Sequence, residues 1–145
     1  MLVEAIQAYL TADTGLQTLV GTALTRTDKT TGFFPTQGPD EVPPPWVVYQ
    51  QVSGQPLGSP LYTGTGRLTT ERWRFTCYGS TYKQAKQVAK AVKSAMLSLL
   101  GQTTTGNAYV EGCWPQLEID EAEPLPRGTV YATHLDFEII YRDGD

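Results

Sequence analysis

The chain is poor in the residues from which catalytic and metal centres are usually built. Its 145 residues include one histidine, His134, and two cysteines, Cys77 and Cys113, which are not in CxxC spacing. A zinc site would need carboxylates and a thiol in an unusual combination, so no metal or other cofactor is expected. Basic excess is also missing: 11 Lys and Arg stand against 15 Asp and Glu, a net charge of −4. That balance argues against a chain whose main task is gripping DNA or an anionic membrane, and leaves a passive relation to DNA open. No apolar run approaches the ~20 residues of a membrane span. The opening MLVEAIQAYL lacks the basic start and small-residue cleavage site of a signal peptide, so a cytosolic site of synthesis and assembly is expected.

Hydrophobic residues make up 40% of the chain and aromatics 10%, as in a globular domain. The length suits one domain over residues 1–145, able to bury roughly 68–70% of its unfolded surface without metals or staples. The clearest pattern lies in RLTTERWRFTCYGSTYKQAKQVAKAVKSAMLSLLG, where the apolar period switches from two residues to about 3.6 across a Gly-Ser junction. Trp73, Phe75 and Cys77 share one strand face, with Arg72, Arg74 and Thr76 on the other. Ala85, Val88, Ala89, Val92, Met96 and Leu99 form one stripe of a helix. Thr81 is placed to cap it, Gln84 to complete a capping box, and Gly101 to end it. Lys83, Lys86, Lys90 and Lys93 then read as its solvated outer face.

Upstream, Leu2, Ile6, Tyr9 and Leu10 predict an amphipathic helix over residues 2 to about 12. Leu16, Leu19 and Val20 suggest a turn or two more, and a short strand is expected around Leu24 to Thr27. Residues 28–45 are rich in Thr, Gly and Pro and read as a long loop carrying Phe33 and Phe34. That pair either tucks into the core or meets a neighbouring subunit. Trp46 to Val52 is a strand, followed over residues 53–66 by a second Gly- and Pro-rich loop, with weak strands around Leu57 and Leu61 or an arm ordered by a partner. Beyond the long helix, YVEGCWPQLEI is a strand with an irregularity at Gly112 or Pro115. EIDEAEPLPRG reads as an acidic turn, and Tyr131 to Tyr141 alternate as a one-sided strand. The cysteines fall on two strands, which leaves a disulfide between neighbours or two buried thiols; a reducing compartment favours the second. The fold expected is α+β: a mostly antiparallel sheet with one long and one N-terminal helix packed on one face.

Chemistry is sparse. His134 shares a strand face with Asp136 and Glu138, an arrangement that suits an acid and base pair, but no nucleophile stands at a recognisable elbow and a polar strand face accounts for it. Gly64-Thr65-Gly66 enters a strand rather than a helix N-terminus, so its amides would not converge on a phosphate. Glu118, Asp120, Glu121 and Glu123 lack the spacing and glycine of a calcium loop. Arg72 and Arg74 alternate away from Trp73, unlike a base-stacking platform. No catalytic residue is assigned.

Four stretches together resemble the tail completion, or tail terminator, proteins of long-tailed bacteriophages. They are LVEAIQAYLTADTGLQTLVG, PPPWVVYQQVSG, RWRFTCYGSTYKQAKQVAKAVKSAML and THLDFEIIYRD, in that order over most of the chain. The resemblance implies a non-enzymatic virion protein: a homo-hexameric ring on the head-proximal end of the tail tube that stops tube growth and docks to the head connector, with DNA only passing through its lumen and no membrane involved. Such a ring joins one edge of each subunit to the opposite edge of the next. Sheet edges and the two long loops are the expected contacts, with Phe33, Phe34, Gln55, Leu57, Leu61, Tyr62 and Arg67 as candidate interface residues. A neck protein of another layer, such as a head-completion protein, fits the same pattern. Outside assembly, the competing reading is a small α+β binding module or enzyme built on the 28–45 loop, His134 and the acidic turn.

Overall fold

The computed structural model describes residues 6, 10, 33–35, 45–56, 68–98, 108–125 and 128–143. Their elements are β1 (Phe33–Pro35), β2 (Trp46–Pro56), β3 (Leu68–Gly79), helix α1 (Tyr82–Leu97), β4 (Ala108–Leu125) and β5 (Gly128–Asp143). The strands form one sheet in the order β1-β2-β3-β5-β4. β2, β3, β5 and β4 are antiparallel to their neighbours, while the three residues of β1 run parallel to β2 at one edge. The mostly antiparallel sheet with a long helix on one face is as the alternation predicts. Of the expected N-terminal helix only Ile6 and Leu10 are described, both fully buried in the core; the remainder, the turn around Leu16 to Val20 and the strand near Leu24 lie outside the described residues.

Helix α1 buries Ala85, Val88, Ala89, Val92, Ala95 and Met96. They pack on the sheet face made by Val47, Tyr49, Trp73, Phe75, Cys77, Val110, Cys113, Leu135, Phe137, Ile139 and Tyr141. Phe75 meets Phe137 edge to face, centroids 5.9 Å apart, and each fully buried aromatic of this kind contributes roughly 1.5–3 kcal/mol through its burial. The strand-to-helix junction depends on Gly79: a Cβ there would stand 2.5 Å from the Ala85 backbone nitrogen, too close for any side chain. Thr81 caps the helix by accepting from the Gln84 amide at 3.1 Å. Gln84 Oε1 reaches back one residue further than a standard capping box, accepting from the Ser80 amide and hydroxyl.

Several boundaries differ from the sequence reading. The helix ends at Leu97, not near Gly101, because the Ser98 hydroxyl donates to the Ala95 carbonyl and takes up a terminal acceptor. β2 runs on through Pro56, four residues beyond Val52, with a bulge between Gln51 and Ser53. Within the Gly- and Pro-rich 28–45 stretch, Phe33–Pro35 forms β1, since an outermost strand tolerates a missing amide. Glu118 to Glu123 are not in a turn at all. They lie in β4, whose partner β5 carries the ladder as far as Leu125 opposite Gly128, where φ is +124°. β4 shifts register at both predicted places, Val110/Gly112 and Pro115/Leu117.

Candidate interaction surface

The sheet face turned away from α1 is polar along its middle. In the β3–β5 register Arg74 stands opposite Asp136, Arg72 opposite Glu138 and Thr76 opposite His134. The Asp136 side chain is 0% exposed and receives Arg74 Nε on Oδ1 at 2.7 Å and Arg72 Nη2 on Oδ2 at 2.8 Å. Burial pushes its carboxyl up, but the hydrogen bonds from Arg74 and Arg72, with their charges, outweigh that and hold it below the ordinary carboxylate range. The same bond raises the Arg74 guanidinium.

His134 does not pair with Asp136 or Glu138. Its Nδ1 is 2.9 Å from Thr76 Oγ1 and its Nε2 2.8 Å from Glu121 Oε2. Glu138 instead accepts from Thr70 and Gln116. All three groups of the supposed polar cluster are thus tied to different cross-strand partners, and the carboxylate that meets His134 is Glu121 of β4 rather than Asp136 or Glu138.

On the helix side of the sheet, Glu118 and Asp120 of β4 reach two of the lysines. Lys86 Nζ lies 3.0 Å from Asp120 Oδ1 and 3.3 Å from Glu118 Oε2, and Lys93 Nζ lies 2.8 Å from Glu118 Oε1. Asp120 also accepts from Tyr82 and Thr133. Hydrogen bonds from Lys86 hold Asp120 below its ordinary value, and those from Lys93 do the same for Glu118. These two lysines are therefore struts between α1 and β4, whereas Lys83 and Lys90 stay exposed. Among the described residues no group of three His, Cys, Asp or Glu side chains is arranged to hold a metal ion. No helix among them is long and apolar enough to cross a membrane.

The two cysteines are free and buried. They lie on β3 and β4, which β5 separates. Burial raises both thiols, Cys113 to about 12, and the Cys113 thiol donates to the Met96 carbonyl at 3.2 Å.

Of the candidate interface residues, Phe33 and Phe34 lie on β1 opposite Val47 and Val48, and Gln55 on β2 opposite Thr70. Leu57, Leu61, Tyr62 and Arg67 lie outside the described residues. What sequence reading passed over is β4. Tyr109, Trp114 and Ile119 stand opposite Arg142, Glu138 and His134 of β5, on the face away from α1, and are 40%, 37% and 48% exposed. The signal was present as three large apolar side chains on a strand at the outer position of the sheet. Spacing hid it, because the two bulges break the period of two.

A family model described as Tail completion protein gp17 matches residues 4–141. The chain belongs to that family. Membership makes it a structural protein of the phage tail, in agreement with the resemblance carried by the strand-turn-helix stretch. Among solved structures, the chain is similar to one from the virion of the native gene transfer agent particle, with 19% identity, a TM-score of 0.65, and coverage of 97% of this chain and 94% of the other. At that identity the likeness concerns the fold. Among curated proteins none matches.

Proposed function

We propose that the chain ends the phage tail tube: copies assemble as a hexameric ring on the head-proximal end, halt addition of tube subunits, and present the surface to which the head connector docks. The observation that carries this reading is the family match over residues 4–141. The role involves no bond making. The net charge of −4 suits a lumen past which DNA slides, since a basic lining would hold the phosphate backbone. The ring would sit at the neck of the virion and be assembled in the host cytoplasm. Phe33, Phe34, Gln55, Leu57, Leu61, Tyr62 and Arg67 are the residues proposed to meet neighbouring subunits, tube or connector.

The test is a phage lacking the chain, examined by electron microscopy beside purified protein. Tubes of uncontrolled length, free heads and hexameric rings of the isolated protein are the expected outcome. Tails of normal length already joined to heads in the absence of the chain would overturn the proposal.

A further inference from the structure

We infer that the outer edge of β4 is a docking strand for a second copy of this chain, which it receives along β2 beyond Tyr49; this deepens the ring reading and rests on it. Among the described residues β4 ends the sheet on one side with 18 residues, and no strand lies beyond it. On the other side β1 pairs with Val47–Tyr49 of β2, so among the described residues, positions 50–56 have a strand neighbour on the β3 side alone. Unpaired strand edges recruit other strands, and closing a sheet on itself removes them.

Strand direction permits this closure. β2 and β5 run one way and β3 and β4 the other, because each neighbouring pair from β2 to β4 is antiparallel. A copy carried round an axis along the strands therefore brings its β2 antiparallel to β4, the pairing with the better hydrogen-bond geometry.

Side chains favour the same occupant. β4 carries Glu111, Glu118, Asp120, Glu121 and Glu123 and no lysine or arginine, whereas β2 has no charged residue. Pairing β4 with β4 would set two acidic strands together, and like charges across a pair destabilise it. It would also leave both β2 edges open. Pairing β4 with β2 avoids both penalties and sets the exposed Tyr109, Trp114 and Ile119 of one copy beside a strand that exposes Val52 at 45%. Large apolar side chains on an outer strand are what such an interface covers.

The test uses variants of the full chain blocked at one edge each, Val52→Glu for β2 and Ile119→Glu for β4, followed by sedimentation velocity up to millimolar concentration. Wild type should assemble with rising concentration, and each variant should do so at least about tenfold more weakly. An equimolar mixture should form dimers and nothing larger, because only one pair of intact edges remains. Gln51→Glu and Tyr109→Glu form a second pair read in the same way if circular dichroism shows that a first variant has not folded. A wild type that stays monomeric, a blocked variant that assembles like wild type, or a mixture that remains monomeric would overturn the edge pairing. Tail ends examined in parallel separate the two ideas: blocked variants that still cap tails overturn the docking strand alone, and a chain absent from tail ends overturns the tail-ending role alone.

Discussion

Arg74 and Asp136 stand opposite each other across β3 and β5, Nε donating to Oδ1 at 2.7 Å with the carboxylate wholly withdrawn from solvent. Arg72, one pleat along the same face, holds the second oxygen. The pair ties the two central strands together on the face that α1 does not cover, so its loss is felt in the sheet rather than in the helix packing.

Asp136→Asn keeps the shape and removes the charge. It is expected to cost about 1–3 kcal/mol at neutral pH, the range for charge-assisted bonds whose cationic partners are half in water. The Asp136 carboxyl is depressed in the folded chain, so its contribution is complete above the ordinary value near 3.9 and drains away as pH falls through the lower folded value. Urea melts of wild type and variant between about pH 6 and pH 3 should converge on acidification. A gap that stays constant or widens would contradict the linkage.

Gly79→Ala should destabilise the chain by about 1–3 kcal/mol, the usual cost of forcing atoms into a packed junction. The added Cβ meets helix backbone at 2.5 Å, and backbone cannot swing aside as a side-chain tip can. Phe75→Ala, which empties the centre of the core, should cost more, about 3–5 kcal/mol. Chemical denaturation of both variants orders the two effects.

Replacing Lys86 and Lys93 together with Ala should cost only about 0.5–1 kcal/mol, because all three ion pairs are partly solvated. The difference from wild type should shrink in about 1 M salt, where exposed charges are screened. A salt-independent loss would mean that the lysine stems, rather than their charges, hold α1 to β4.

Cys77 and Cys113 should resist thiol reagents in the native protein and react once it is unfolded, since both are buried and burial raises both thiols. Under mild oxidation the native chain should form no internal disulfide. With β5 between their strands, Cys77 opposite Thr133 and Cys113 opposite Ile139, the two are separated by two strand spacings, ~9.5 Å, across the sheet and by roughly 20 Å along it, far beyond the ~7 Å that a disulfide can span. Mass spectrometry after labelling checks both expectations.

Much of the fold was legible because local periodicity and core burial agree. The stripe from Ala85 to Met96, the alternation from Trp73 to Cys77 and from Leu135 to Tyr141, and the cap at Thr81 each follow from which side chains water rejects within one element. The polar partners were less legible. Arg72, Arg74 and Asp136 could be placed on polar faces, but their meeting required knowing that β3 pairs with β5. Lys86 and Lys93 read as solvated because the strand that supplies Glu118 and Asp120 is distant in sequence. The acidic stretch read as a turn because propensity favours a turn there, and the ladder to β5 overrode it.

The sequence by itself determined the elements and their buried faces, since a period of two or of 3.6 residues is written in neighbouring side chains. It also carried the family resemblance. Tertiary structure alone decided that β5 inserts between β3 and β4, although β4 comes earlier in the chain. That placement makes β4 the outer strand, separates the two cysteines and brings Asp136 to the arginines. The physical reason is that strand order is set by which edges pair most favourably across the whole sheet, a competition among distant backbones and bulges that no local window contains.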